Sequence, residues 1–252
     1  VLLVFYYDPS STEAYNSVDY VTYQVPLGWL VRGVHYYGSS AMVILAALHM
    51  LRTYFMSTYK KPRELNWMTG VFLLLLVFGF GFTGYLLPWD QKGYWATKVG
   101  TEIAASVPFI GTWIMQLMRG GAELGQATLT RFYASHVMLL PALTIVFILA
   151  HILQLRRHGN APPITERAKK NANKYVPFFP HWVITDTLFG LALLALLVYL
   201  SWTRGAPLEF PADPTAGDYV PRPEWYFLFL FQALKYFPGP LEPIASVFIP
   251  LF

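Results

Sequence analysis

The stretch that decides the fold is HVMLLPALTIVFILAH, which runs from His136 to His151. Its 14 inner residues contain no charged side chain, so the segment is suited to lipid. An ionisable side chain at membrane depth is costly and usually functional. An apolar segment with an imidazole at each end therefore predicts a membrane helix whose histidines have a role.

The composition is that of a membrane protein. Of the 252 residues, 55% are hydrophobic and only 13% are charged, whereas an ordinary soluble domain carries about 25% charged residues. Two uncharged runs of 25 and 24 residues exceed the roughly 20 that a helix needs to cross a bilayer, and two shorter runs are similar. The sequence thus predicts an all-α, polytopic transmembrane helical bundle with four complete spans: Gly33–Leu51, Leu65–Trp89, Phe132–Leu155 and Thr187–Thr203.

Both ends of the sequence read as parts of further spans. VLLVFYY (Val1–Tyr7) is typical of the end of an earlier span, and PIASVFIPLF (Pro243–Phe252) of the start of a later one. We therefore expect further spans in the whole protein. The chain contains no cysteine, which excludes a disulfide, a thiolate metal site and a C-x-x-C-H haem attachment within these residues.

The basic residues are concentrated in two segments. Arg52–Arg63 and Arg156–Lys174 together hold 10 of the 18 Lys and Arg residues, and the positive-inside rule places both on the cytoplasmic-type (n) side. The segments Asp8–Gly28, Asp90–Arg131 and Arg204–Glu242 then lie on the opposite (p) side. Topology alone accounts for the basic segments, so we expect membrane lipids and no nucleic acid as partners.

Four of the six histidines lie within the predicted spans, in two pairs along the chain. His35 and His49 are 14 residues apart, and His136 and His151 are 15 apart. On a regular α-helix these intervals leave the two rings about 40° and about 60° apart, separated by roughly 21 to 22 Å. Both spans run from p to n, so we expect His35 beside His136 near the p side and His49 beside His151 near the n side.

Two facing pairs of imidazoles predict two b-type haems, because two histidines fill both axial positions of a haem iron. For each histidine taken singly, a hydrogen bond to a neighbouring helix stays open as an alternative. Arg32 precedes His35 by three residues and Arg52 follows His49 by three. Each guanidinium would reach a haem propionate, or could instead extend to the membrane interface.

Two glycines repeat the histidine interval. Gly70 and Gly84 are 14 residues apart within the predicted span Leu65–Trp89. A glycine lets a flat macrocycle approach the helix backbone where a Cβ would collide. Small residues are also common where membrane helices pack, so it is the matching interval that favours a haem contact.

Three motifs carry a family resemblance. GYLLPWDQKGYWATKV (Gly84–Val99), TLTRFYASH (Thr128–His136) and PEWYFLF (Pro223–Phe229) resemble cytochrome b of the cytochrome bc and bf complexes, the quinol:cytochrome c and plastoquinol oxidoreductases. The resemblance covers nearly the whole chain. It implies a fragment of a subunit that oxidises quinol at the p side, transfers electrons through two b haems and reduces quinone at the n side (a Q cycle), coupled to proton translocation.

The resemblance also implies roles for single residues. Glu224 matches the PEWY glutamate, which in the family takes a proton from quinol, and Tyr85 matches a tyrosine beside the quinol pocket. A carboxylate suits this role because quinol cannot be oxidised without releasing protons, although Glu224 could also be a solvated loop acid. At the n side, Asp186 matches a family carboxylate and Arg156 stands where some members carry a basic group. Both could equally be interfacial residues in contact with lipid.

The chain resembles the bf branch of the family in two respects and departs from it in one. Asp90 and the 15-residue histidine interval are similar to the bf branch, in which the polypeptide is normally split after the fourth span. Here the sequence continues into PEWY without a break, so it resembles a bf-like sequence in fused form. We expect an N-terminal di-haem domain at residues 1–160 and a C-terminal, subunit-IV-like domain at residues 161–252.

The implied partners are a Rieske iron–sulfur subunit and a c-type cytochrome subunit, with the complex a homodimer. The implied location is an energy-transducing membrane, which we expect to be a bacterial plasma membrane. Two alternatives stay open from the residues. One is a di-haem membrane anchor of a quinone-linked dehydrogenase, which has no need of PEWY. The other is a haem-free transporter that uses buried histidines as a proton relay.

Overall fold

The computed structural model describes residues 2–161, 170 and 177–237, and within them every regular element is helical apart from one isolated β-bridge. Short 3-10 turns lie at Leu2–Phe5 and Trp225–Phe227, and π-helical turns at Ser135–Leu139 and Phe178–Trp182. The helices are α1 (Ala14–Tyr23), α2 (Gly28–Phe55), α3 (Glu64–Gly84), α4 (Gln91–Ala105), α5 (Gly111–Arg119), α6 (Gln126–Ala134), α7 (Leu140–His158), α8 (Val183–Arg204) and α9 (Leu228–Tyr236).

Four helical segments are long and apolar enough to cross a membrane, which confirms the four predicted spans. They are Gly28–Phe55, Glu64–Gly84, Gln126–His158 and Phe178–Arg204, and their mean hydropathy lies between 1.2 and 2.2. Large apolar side chains on them are exposed, among them Phe72, Ile145 and Leu188. Helices that are apolar around most of their surface are stable when lipid or protein covers them. The protein is therefore an integral membrane protein.

The predicted end of the span Leu65–Trp89 is five residues too late. Hydropathy predicts that this span continues to Trp89, whereas α3 ends at Gly84. Tyr85 to Pro88 instead form a turn, and Asp90 caps the next helix by accepting a hydrogen bond from the Gly93 backbone N–H (2.8 Å). Hydropathy does not register this break because Leu86, Leu87 and Trp89 are as apolar as the helix before them.

The described residues group into two compact units. One takes residues 2–25, 79–141 and 207–237, and the other takes residues 26–78, 142–161 and 177–206. Neither matches the predicted division at residues 160 and 161, which stays a prediction. Most of the residues that follow this boundary, and the expected C-terminal span at Pro243–Phe252, lie outside the described residues.

The first unit has an apolar core to which both the predicted spans and the predicted connections contribute. Its buried side chains are Ala14, Leu86, Trp89, Tyr94, Leu124, Leu129 and Phe132. Arg119 at the end of α5 is 4% exposed and donates to Thr101 Oγ1 (2.7 Å), Ala122 O (2.9 Å) and Lys98 O (3.0 Å). Because a buried cation is stable only when its donors are satisfied, this arginine holds α4, α5 and the turn after α5 together.

The second unit is built on the close approach of α2 and α8. A Cβ added to Gly33 would lie 2.6 Å from the Ser201 Cβ and 3.1 Å from its Cα. Tyr37 Oη donates to Gly205 O (2.8 Å), and Arg32 Nη1 donates to Ala206 O (2.9 Å). Small residues at the contact let two membrane helices approach closely, so that van der Waals packing and hydrogen bonds can hold them.

We expect Gly33→Ala to destabilise the protein and Gly190→Ala to leave it unchanged or slightly more stable. The added methyl at Gly33 would displace the Ser201 backbone, whereas nothing lies within 4 Å of a Cβ at Gly190, on the same pair of helices. Alanine otherwise favours a helix over glycine by about 1 kcal/mol. Thermal unfolding of the two variants in detergent measures the difference. Equal midpoints would show that the contact at Gly33 does not constrain the packing.

Candidate functional site

His151, on α7, lies against a Thr-Gly pair of α3. Its Nδ1 is 3.1 Å from Thr69 Oγ1. A Cβ added to the neighbouring Gly70 would be 3.3 Å from the ring Cε1. Thr69 is 7% exposed. The histidine ring is thus held by a hydrogen bond with the side chain of one residue of the pair and by close contact with the backbone of the other.

His136 has the same surroundings in the first unit, where the pair is Thr83 and Gly84. Its Nδ1 is 3.2 Å from Thr83 Oγ1, and a Cβ on Gly84 would be only 2.7 Å from the ring Cε1. Phe80 adds an edge-on ring contact at 5.4 Å between centroids. Gly70 and Gly84 therefore lie against histidine rings. Their predicted contact with haem stays a prediction.

The helix between the two histidines is not a regular α-helix, and this corrects the expected 60° angle. His136 lies in the π-helical turn Ser135–Leu139, in which the Leu140 N–H donates to Ser135 O, five residues back. A π turn accommodates one extra residue within an α-helix. The 15-residue interval with its π turn thus corresponds to the 14-residue interval between Thr83 and Thr69 on α3. The proline that follows, Pro141, supplies no N–H and disfavours a tight α turn before it.

His49 and His151 approach each other within the second unit. Their ring centroids are 6.4 Å apart and their planes differ by 75°. His35 is an exposed side chain 14 residues before His49 on α2. Because His35 and His136 belong to different units, their pairing stays a prediction.

The His49 and His151 rings suit a group that binds through two imidazoles. A metal–imidazole bond is about 2 Å long, so a 6.4 Å separation of centroids has room for one metal atom between two ring nitrogens. Among the described residues there is no cluster of three or more His, Cys, Asp or Glu side chains that could hold a metal ion. A haem needs only two protein ligands because its macrocycle supplies the other four.

The two flanking arginines differ in their surroundings. Arg32 is 9% exposed, and its Nη1 donates to Ala206 O, so its guanidinium is buried within the protein. Arg52 is exposed near the end of α2. The proposed contact of each with a propionate stays a prediction.

The structure brings the PEWY turn to the helix that follows α3. Lys92 Nζ, on α4, is 2.6 Å from Glu224 Oε1, and the two side chains are 27% and 13% exposed. Tyr226 packs against the end of α3, where a Cβ on Gly81 would lie 2.8 Å from its ring. Glu224 is therefore a largely buried carboxylate paired with an ammonium group, which does not fit the alternative of a solvated loop acid.

Tyr85, the first residue after α3, lies in the same region. Its ring contacts those of Phe82 and Phe227, with centroids 5.8 and 6.2 Å away. Burial raises the pKa of the Tyr85 phenol, and the nearby Tyr226 and Glu224 raise it further, while Thr97 acts in the opposite sense. The phenol is thus held neutral and can donate a hydrogen bond.

The two predicted n-side residues are exposed. Asp186 lies in the first turn of α8 and Arg156 in the last turn of α7. Sequence reasoning missed Lys92, Thr69 and Thr83 altogether. The threonines had a detectable signal, since each directly precedes one of the two glycines that the 14-residue interval singled out. Lys92 had none, because its partner is 132 residues away.

The fold and these sites define a class: an α-helical integral membrane protein with histidines in its spans, two of which, His49 and His151, approach each other. Comparison with known proteins gives the family. Residues 40–211 match the family described as "Cytochrome b(N-terminal)/b6/petB". The chain belongs to this cytochrome b/b6 family.

Relatives of two kinds are similar to the chain. The "Cytochrome bc complex cytochrome b subunit" of Chlorobaculum thiosulfatiphilum is 40% identical over 241 residues, 94% of this chain and 55% of that protein. The "Cytochrome b6" of Cyanidium caldarium is 47% identical over 162 residues, 64% of this chain and 75% of that protein. The chain thus spans just over half the length of the first relative. The longer match extends beyond the cytochrome b6 region, as a fused form predicts.

The fold is similar to that of a solved structure, "Hyperthermophilic respiratory Complex III". The TM-score is 0.85 at 30% sequence identity, and the match covers 98% of this chain and 66% of that one. The cytochrome b fold expected from the sequence is confirmed.

We expect Lys92→Met to destabilise the protein by about 1 to 3 kcal/mol, because it leaves the Glu224 carboxylate poorly solvated and without its cation. The double variant Lys92→Met/Glu224→Gln should be less destabilised than the sum of the single variants. Lys98→Met is a matched control on α4, since its ammonium lies over the Trp95 ring (5.1 Å). Thermal unfolding in detergent measures all four. Strict additivity of the two changes would show that the ion pair contributes nothing.

Proposed function

We propose that the chain forms part of the di-haem cytochrome b subunit of a quinol:cytochrome c (or plastocyanin) oxidoreductase. In this proposal the protein oxidises quinol at the p side, reduces quinone at the n side and couples the two to proton translocation. The observation that carries it is the equivalent surroundings of His136 and His151, each held by a Thr-Gly pair of α3. The "Cytochrome bc complex cytochrome b subunit" at 40% identity supports it.

The four histidines would hold two b-type haems without covalent attachment. His35 and His136 would ligate the p-side haem iron, and His49 and His151 the n-side one. A bis-histidine haem accepts and donates single electrons and leaves no axial position for another ligand. Gly70 and Gly84 keep the α3 backbone close to the ligand rings. Arg32 and Arg52 would compensate the propionate charges.

Glu224 and Tyr85 would form the quinol-oxidising site. Oxidation of a quinol requires that its hydroxyl protons leave, so an ionised carboxylate beside it can act as general base. The Lys92 ammonium, 2.6 Å from Glu224 Oε1, fixes the orientation of the carboxylate. Tyr85, kept neutral by burial, would donate a hydrogen bond to a quinol or quinone oxygen.

The quinone-reducing site would lie at the n side, with Asp186 and Arg156 near it. Both side chains are exposed, so a proton for quinone reduction could reach Asp186 from the aqueous phase. The iron–sulfur centre and the c-type haem are proposed to belong to partner subunits, a Rieske protein and a c-type cytochrome. The complex would be a homodimer in an energy-transducing membrane, such as a bacterial plasma membrane.

We expect His136→Ala to remove the p-side b haem and to leave the n-side haem in place, because each iron depends on its own histidine pair. A redox titration of the visible b-haem absorbance of the purified complex measures this. The control is His181→Ala, an exposed histidine before α8 that should change neither signal. Retention of both haem signals in His136→Ala would end the assignment.

We expect Glu224→Gln to slow quinol oxidation by about a hundredfold, the lower end of what a general base contributes, with both haem signals retained. The pH dependence of the remaining rate should also weaken. The control is Glu209→Gln, an exposed acid that accepts a hydrogen bond from Tyr219 Oη (2.8 Å). A Glu224→Gln rate equal to that of the parent at every pH would remove this carboxylate from the mechanism.

A further inference from the structure

We propose that Thr69 and Thr83 are positioning residues that fix the tautomer of His151 and His136, so that each ring presents an unprotonated Nε2 to iron. This inference rests on the proposed function, since it assigns a role to two threonines only if the histidines ligate haem. It concerns the threonine hydroxyls, which are not ligands themselves.

The tautomer of each histidine follows from the fact that the neighbouring threonine hydroxyl has only one proton to donate. Thr69 Oγ1 is 2.9 Å from Asn66 O, and Thr83 Oγ1 is 2.8 Å from Gly79 O. A carbonyl oxygen can only accept, and a hydroxyl has a single proton to donate. That proton is therefore used on the carbonyl of the preceding helical turn.

The hydroxyl oxygen then accepts a hydrogen bond from the histidine. The Nδ1 atoms lie 3.1 and 3.2 Å from Thr69 Oγ1 and Thr83 Oγ1, so each Nδ1 must carry the proton. A neutral imidazole has one N–H only. The second ring nitrogen, Nε2, is consequently left with its lone pair, which is the form that binds a metal.

The adjoining glycines fix the orientation of the rings. At Gly70 the atoms nearest to an added Cβ are Cε1 (3.3 Å) and Nδ1 (3.8 Å) of His151, and at Gly84 they are Cε1 (2.7 Å), Nδ1 (3.1 Å) and Nε2 (3.5 Å) of His136. In both cases Cε1 is the ring atom nearest to the glycine and Nδ1 is the next nearest. Rotation of the ring would lose the hydrogen bond and bring carbon atoms against the hydroxyl.

A hydrogen bond to the N–H of a ligating histidine also increases the basicity of the ligand. A more basic ligand stabilises ferric over ferrous iron and lowers the reduction potential. Each threonine would therefore act on the potential of one haem, Thr83 on that of His136 and Thr69 on that of His151.

The experiment uses the purified complex with haem bound and compares Thr83→Val with Thr83→Ser. Valine has nearly the shape of threonine but no hydroxyl, whereas serine keeps the hydroxyl. Thr83→Val should raise the midpoint potential of the p-side haem by about 59 mV. This shift corresponds to a tenfold change in the ratio of the affinities for ferric and ferrous iron, since a tenfold change equals about 59 mV for one electron. Thr83→Ser should restore most of the parent potential.

Thr69→Val should raise the midpoint potential of the n-side haem and leave that of the p-side haem unchanged. Thr144→Val is the matched control, because it removes a hydroxyl from α7 whose oxygen has no hydrogen-bond partner within the described residues. Low-temperature electron paramagnetic resonance of the ferric haems gives a second readout, since the spectrum depends on the orientation of the axial imidazoles.

Each outcome separates this inference from the proposed function. If His136→Ala removes one haem but neither valine variant changes a potential or a spectrum, the histidines are ligands and the role of the threonines is wrong. If the parent complex shows no b-haem absorbance, the proposed function fails and this inference fails with it. If Thr83→Ser shifts the potential as much as Thr83→Val, side-chain shape and not the hydroxyl is responsible, and the inference is also wrong.

Discussion

The hydrogen bond between a threonine hydroxyl of α3 and the Nδ1 of a histidine is the interaction on which the membrane part of this protein depends. An imidazole in an apolar helix must find a polar partner, because leaving its N–H unsatisfied costs several kcal/mol. Thr69 and Thr83 provide that partner, and Gly70 and Gly84 let the ring come close enough to use it. One helix thus sets the position of two histidines through a dipeptide that occurs twice.

The end of α3 meets a different requirement, since charged groups are buried there. Asp90 is 6% exposed and accepts hydrogen bonds from the Gly93 N–H and the Glu209 N–H (2.8 and 3.2 Å). Burial raises its pKa, and these two N–H groups act in the opposite sense. The carboxylate joins the start of α4 to the segment that leads toward PEWY. Lys92, two residues later on α4, reaches the Glu224 carboxylate (2.6 Å), so Asp90 is held by capping contacts and Glu224 by an ionic contact.

Much of this arrangement could be predicted from the sequence, and the failures have physical causes. The spans and the family motifs could be found because hydropathy and the spacing of histidines and glycines can be read from residues close together in the sequence. The helices α1, α4 and α5 were treated only as connections, since they are short and only moderately apolar. The irregular helix at His136 was missed because a π turn changes the path of the backbone without changing the composition.

The sequence by itself determined that this is a polytopic helical membrane protein with histidines at repeated intervals, because lipid selects composition and helices impose periodicity. Only the tertiary structure decided what each of the described histidines contacts. The hydrogen bonds of His136 and His151 join residues 53 and 82 positions apart, and the pair of Lys92 and Glu224 joins residues 132 apart. Contacts over such distances depend on how the helices pack, which no local pattern of residues records.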